Sequence, residues 1–183
     1  MILIVGLGNP GEQFKNTRHN VGREIVADWQ KKAGLADFEL NKKFKALVSK
    51  NKKAVLLLPE TFMNKSGNAV GPAARLFKVK TKQIFVVHDD ADLPLGHAKL
   101  SFGKHSAGHK GVESVMRVLK TRDFWRFRIG IAARRDIPAE KLVLKKWAPE
   151  EVRLVRKIIK KTASALEEAL TRGPEQAMNN YNH

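Results

Sequence analysis

The sequence predicts an α/β fold: a single domain with a mixed, mostly parallel twisted sheet flanked by helices. Three observations carry that expectation. Short β-branched and apolar runs alternate with amphipathic segments, the order expected of βαβ units. At 183 residues the chain has the size of one ordinary domain and can bury a core without staples. It contains no cysteine, so neither disulfides nor thiolate metal sites can stand in for that core.

In chain order, the first strand is expected over 2–7, an apolar run closed by Gly6 and Gly8. A helix follows over about 22–33. Strands over 45–50 and 54–59 flank Asn51-Lys52-Lys53, a hairpin pattern that supplies an antiparallel edge. The next helix spans roughly 66–78, and Pro72 places its start nearby because proline lacks the N–H an earlier turn would need. Strands over 83–88, 95–102 and 126–133, with a helix over 111–120, complete the alternation.

The last helix, 149–171, is the most strongly marked. Pro149 suits its first turn, Glu150 and Glu151 complement the positive end of its dipole, and Gly173-Pro174 stops it. Val152, Val155, Ile159, Ala163, Leu166 and Leu170 form one apolar stripe. Arg153, Arg156, Lys157, Lys160 and Lys161 lie largely off it, as a solvated face or a polyanion contact. There is no internal repeat, and the closing Asn-Asn-Tyr-Asn-His is expected to be loosely held.

Lys and Arg total 35 against 18 Asp and Glu, a net charge of +17. Residues 1–100 hold 17 of the basic and 9 of the acidic residues, so no tail carries the excess. A folded domain this basic points to a polyanionic partner, nucleic acid first and acidic membrane second; solvated lysine faces are the plain alternative. The longest interior apolar run, Ala54 to Leu58, is far short of the roughly 20 residues of a membrane helix. The N-terminal Met-Ile-Leu-Ile-Val-Gly-Leu lacks the basic flank and length of a secretion signal. A soluble, cytoplasmic protein is therefore expected.

Gly6-Leu7-Gly8-Asn9-Pro10-Gly11 fits the glycine pattern of a dinucleotide-binding loop. In such a loop the third glycine already lies inside the helix that receives the pyrophosphate. Here Pro10 precedes it, and the helix begins only near Gly22. Asp28, the residue that could mimic a ribose-binding acid, falls mid-helix. The better reading is that Gly6 and Gly8 let the chain leave the sheet sharply, with Asn9 and His19 above the carboxyl ends of the strands.

Other polar groups leave the sheet in similar places: Asn64 after the strand ending near Leu58, Asp89, Asp90 and Asp92 after Ile84 to Val87, and His109 with Lys110 in a glycine-containing loop. Amides, a histidine and a carboxylate at such loops make a general-base site. The acid fixes one ring nitrogen and leaves the other free to take a proton from water. No protein nucleophile is evident, since cysteine is absent and Ser66, Ser101 and Ser106 lack an elbow signature. Water activated by histidine is then the attacker. Asn9 and Asn64 suit an oxyanion or substrate amides, or are simply turn and cap residues. The acidic cluster could instead bind a divalent metal, against which Pro94 and Gly96 suggest a turn.

The segments "IVGLGNPGEQFKNTRHNVG", "LLLPETFMNKSGNAV", "VVHDDADLPLG", "SAGHKGV" and "FRIGIA" resemble, in order and spacing, the signature segments of bacterial-type peptidyl-tRNA hydrolases. The likeness runs from residue 2 to about 170. It implies a monomeric α/β domain that hydrolyses the ester between a peptide and the 3′ ribose of tRNA, recycling tRNA from aborted translation. It implies His19 as catalytic base, Asp89 as its orienting partner, and Asn9 and Asn64 as substrate-positioning amides. His109 joins the substrate-binding set. Arg128 is similar to a family residue on the tRNA-binding surface, with Lys99 and Arg126 as further candidates near the same basic stretch.

The sequence departs from that pattern twice. Lys110 stands where the family usually has asparagine after the loop histidine; an ammonium donates hydrogen bonds but cannot accept one. A cation near His19 favours the neutral imidazole, which helps a base and disfavours the imidazolium formed during attack. Phe14 stands where tyrosine is usual, keeping stacking and losing a hydroxyl contact in the substrate-binding region. The competing reading is a non-catalytic RNA-binding relative on the same fold, splicing or ribosome-associated. Ester hydrolysis by water needs no cofactor, and none is indicated.

Overall fold

The computed structural model describes residues 1–132 and 138–182. Seven strands form one sheet: β1 (Ile2–Gly6), β2 (Glu39–Asn41), β3 (Ala46–Lys50), β4 (Ala54–Pro59), β5 (Ile84–Pro94), β6 (Ala98–Phe102) and β7 (Trp125–Ala132). Their order is β2-β3-β4-β1-β5-β7-β6. The four central strands run parallel, while β3 joins β4, β2 joins β3 and β6 joins β7 antiparallel. The Asn51 turn closes β3 onto β4 because its side-chain oxygen accepts from Lys53 N and Ala54 N, both at 2.8 Å.

Alternate residues of the central strands enter two cores. Ile4, Leu56, Phe85 and Phe127 pack on one face with Val21, Ile25 and Trp29 of α1 (Val21–Lys32) and Leu166 of α5 (Pro149–Thr171). Leu3, Leu57 and Val86 pack on the other with Ala69, Val70 and Ala73 of α2 (Gly67–Leu76) and Val112 and Val115 of α3 (Lys110–Leu119). Both faces are helix-covered, and so the central strands read as continuous apolar runs.

Several expectations need correction. Helix α2 begins at Gly67 and carries Pro72 in its interior. The carbonyl that loses its partner belongs to Asn68, which is exposed, and burial of Ala69, Val70, Ala73 and Ala74 holds the helix together. Strand β5 continues past His88 to Pro94, with a register shift after Asp90, so the polar residues expected in a loop are partly strand. Residues 95–97 form a turn instead, with Gly96 at φ 87°, and β6 starts at Ala98. The C-terminus is not loose. Pro174 opens α6 (Pro174–Tyr181), Tyr181 is buried with its hydroxyl 2.6 Å from Thr162 Oγ1, and Asn182 bonds both N and O of Leu100. The polar edge strand β2 and the short α4 (Ala139–Leu142) carried no readable periodicity. Residue 133, the expected end of the last strand, lies outside the described residues.

Close approach places the site. A Cβ on Gly22 would lie 2.1 Å from Val87 O, so α1 can rest directly on β5 only with glycine there. Gly8 has a similar steric function: its Cβ would sit 2.9 Å from Arg23 Cβ. The chain leaves the sheet at Gly6 without a left-handed backbone at Gly6 or Gly8, so what these glycines supply is close approach.

Candidate active site

A short 3₁₀ turn, Arg18–Asn20, leads into α1 and presents His19 over the end of β5. The turn is held at both sides. His19 N donates to Val143 O at 2.8 Å and Arg18 N to Lys145 O at 3.0 Å. The buried Arg18 guanidinium donates to Ile131 O at 3.1 Å and to Glu151 Oε2 at 2.6 Å, and lies 4.7 Å from the Trp147 ring centroid. Glu151 also accepts from Ala148 N at 2.8 Å, so one carboxylate caps α5 and neutralises Arg18. Nothing in the spacing of Arg18 and Glu151 announced this pairing across 133 residues.

His19 Nδ1 lies 2.9 Å from each oxygen of Asp89, and His109 Nε2 lies 2.9 Å from Asp89 Oδ1. The proton positions follow from α3. His109 Nδ1 is 3.1 Å from Gly111 N and 3.2 Å from Val112 N, two N–H groups of that helix's first turn. Nδ1 must therefore accept, leaving Nε2 to carry the hydrogen and donate it to Asp89. An ionised Asp89 can only accept, so His19 donates from Nδ1 and keeps a free lone pair on Nε2. Burial pushes the Asp89 carboxyl up, but the hydrogen bonds from His109 and His19, and the positive charge either ring carries when protonated, outweigh it and hold the group well below the usual carboxylate range.

His19, Asp89 and His109 are also spaced like metal ligands, their donor atoms all within 4.8 Å of one another. The tautomer argues against that use. A neutral His109 could ligate through Nε2 only with its proton on Nδ1, where it would face the two N–H groups of α3. The expected acidic cluster does not converge either. Asp90 is buried and accepts from Arg128 Nε at 2.6 Å and Asp92 N at 2.9 Å, while Asp92 is exposed.

Asn9 is buried beside this group. Its N donates to Asn20 Oδ1 and its O accepts from Asn20 Nδ2, both at 2.9 Å, and its Oδ1 accepts from Met63 N at 2.8 Å. With the side-chain oxygen engaged, the amide NH₂ remains as a donor. Asn20, which makes this bracket, went unnoticed in the sequence because an asparagine beside a histidine has no periodic signature.

Asn9, His19, Asp89, His109 and Lys110 line one cavity of about 260 Å³, closed on its far side by Glu140, Val143 and Leu144. Asn64 and Phe14 do not line it: Asn64 is exposed, one residue beyond the Asn9–Met63 bond, and Phe14 is half-buried in its own 3₁₀ turn. The Lys110 ammonium is turned to Glu140 Oε1 at 3.4 Å, and both groups are exposed.

Lys99 is exposed on β6, paired in register with Arg128 on β7, and the two make a basic edge beside the site. Arg126 does not join that edge. It is completely buried, so the expectation that it contacts tRNA at the surface fails in this structure. Side chains alternate along β7, but both faces are covered at this position. His88, also missed, is buried behind the site, with its Nδ1 2.6 Å from Asp89 O and its ring edge-on to His109 at 4.7 Å.

Known proteins share both the sequence and the geometry. A model of the family described as peptidyl-tRNA hydrolase matches residues 3–183. Peptidyl-tRNA hydrolase from Aquifex aeolicus is 39% identical over 180 residues, covering 96% of this chain and 93% of its own. That of Mycobacterium bovis is 40% identical over 185 residues, covering 97% and 95%. The crystal structure of peptidyl-tRNA hydrolase from Acinetobacter baumannii superposes with a TM-score of 0.91 at 32% identity, covering all of this chain and 94% of that one. With family match, relatives and fold in agreement along its whole length, the chain belongs to the peptidyl-tRNA hydrolase family.

Proposed function

We propose that this chain hydrolyses the ester joining a peptide to the 3′ ribose of tRNA, with His19 as general base and Asp89 as the group that orients it. The observation that carries this reading is the His19–Asp89 hydrogen bond, which leaves Nε2 as the free lone pair on a residue lining the cavity. Nε2 takes a proton from water as the water oxygen attacks the ester carbonyl carbon, and Asp89 stabilises the imidazolium that forms. The Asn9 amide, held by Met63 and Asn20, offers its N–H to the oxygen that gains charge. Collapse of the tetrahedral intermediate breaks the bond to the ribose oxygen, and the imidazolium returns the proton to that leaving group.

In this reading Lys99 and Arg128 meet tRNA phosphates without reading bases, and Asn64 and Phe14, which lie outside the cavity lining, contact the peptide-bearing end of the substrate. Lys110 opposes the imidazolium less than its place beside His109 suggests, because Glu140 offsets part of its charge. The reading places the protein where translation occurs, acting as a monomer in the cytoplasm; among the described residues no helix is long and apolar enough to cross a membrane. Single-turnover cleavage of an N-blocked aminoacyl-tRNA tests the proposal. The parent should cleave, and His19→Ala should bind tRNA without cleaving; equal cleavage by His19→Ala would overturn the mechanism.

A further inference from the structure

Among the described residues Arg126 is the largest fully buried side chain, and it has no function in the mechanism above. Among the described residues its Nε, Nη1 and Nη2 are all buried and none has a hydrogen-bond partner. Burial and the neighbouring Arg128 push its pKa down, with Asp90 opposing, to about 10, so the guanidinium is charged at neutral pH. A buried, unpaired charge is among the costliest arrangements a fold can contain, and a native structure neutralises it.

The surroundings indicate what does so. Arg126 stands in register between Val86 of β5 and Ser101 of β6, and directly opposed strand residues project from the same face. The Ser101 hydroxyl is also buried and unbonded, free to accept from the guanidinium and to donate its own hydrogen onward. The unbonded acceptors beside it, Ser101 Oγ and His88 Nε2, are both uncharged and too few for the five N–H hydrogens of the guanidinium. Asp90, the carboxylate that acts electrostatically on Arg126, is already engaged by Arg128 and by Asp92 N. Of the charged groups that act on Arg126, Arg128 and Asp90 oppose each other, so its own charge is left without a direct partner. A water molecule could fill donors but would not balance it.

We infer that Arg126 and Ser101 form an internal site for a small monovalent inorganic anion of the halide class, seated between β5, β7 and β6 behind the catalytic cleft. The complete burial of the guanidinium selects against bulky anions. The bound ion ties the edge strand β6 to the sheet, so occupancy is read as stability.

The test is thermal unfolding of the full chain at constant ionic strength, with gluconate replaced stepwise by chloride or bromide. Saturable stabilisation by roughly 3 °C or more is expected for the parent, and sulfate should not reproduce it. Ser101→Ala should shift the midpoint of the halide titration to higher concentration, and Arg126→Met should abolish the response. If Arg126→Met does not fold, an anomalous bromide peak at the Arg126 guanidinium in crystals of the parent replaces that arm. A parent indifferent to halide, a response unchanged in Arg126→Met, or bromide-soaked crystals without that peak would overturn the inference. These readouts are independent of hydrolysis and stand or fall apart from the catalytic proposal.

Discussion

His109 Nε2 donates to the same Asp89 oxygen that faces His19 Nδ1, so two histidines share one carboxylate and only one of them is free to act as a base. His109 is committed by the helix beneath it, whose first-turn N–H groups occupy Nδ1. Asp89→Asn tests this division. The amide oxygen satisfies His109, and the NH₂ takes the place of Oδ2, 2.9 Å from His19 Nδ1, where it offers Nδ1 a donor and favours the tautomer that accepts. The His19 proton moves to Nε2 and the base is lost. Single-turnover rates should fall by about 10⁴, the order found when a triad carboxylate is neutralised elsewhere, with tRNA affinity retained.

His109→Leu removes a donor from Asp89 and an acceptor from the start of α3. Loss of the cap should cost about 1 kcal/mol in denaturant unfolding. The cleavage rate should drop by roughly 10 to 100-fold, the range expected when a supporting partner is removed. Because His19 remains, the loss should be smaller than that of Asp89→Asn.

Arg18 and Glu151 form a buried pair that fixes the His19 turn against α5. Arg18→Met leaves the Glu151 charge without its partner and should destabilise the fold by about 3 kcal/mol or more. Combining it with Glu151→Gln should restore part of that loss, a coupling read from a double-mutant cycle.

Burial raises the Glu24 carboxyl from its usual value of 4.5 to about 7, against the lowering hydrogen bond from Asn16 N. The folded state therefore holds the proton more tightly than the unfolded state. Its contribution is complete below pH 4.5 and is lost as pH rises toward about 7. Glu24→Gln keeps the acceptor for Asn16 and removes the titration. Its unfolding free energy should exceed that of the parent above pH 7, with the difference vanishing below pH 4.5.

Gly22→Ala should displace α1 from β5, because its methyl group meets the Val87 carbonyl oxygen at 2.1 Å. A loss of at least about 1 to 3 kcal/mol is expected. The rate should fall with it, since His19 sits on the turn leading into α1 and Asp89 on β5.

The legible parts of the fold were those with a repeating pattern. The central strands, α1, α3 and α5 announced themselves through apolar runs or stripes, and His19, Asp89 and Asn9 lay in motifs at their ends. Other features depended on tertiary contacts. Pro72 is accommodated because one face of α2 is buried; Tyr181 looked like part of a frayed tail until its hydroxyl met Thr162. Arg126 looked like its neighbour Arg128, and only the packing around β7 separates a buried cation from one placed at the edge.

The pairings around the catalytic turn also set the order in which the site can mature during synthesis. Asp89 follows His19 by 70 residues, and the Glu151 that steadies Arg18 follows it by 133. A nascent chain that has exposed only β1 and α1 carries the base without the carboxylate that sets its tautomer. One that has added β5 and α3 still lacks the α5 anchor for the turn. The His19 turn thus reaches its final geometry only once α5 has been made and packed.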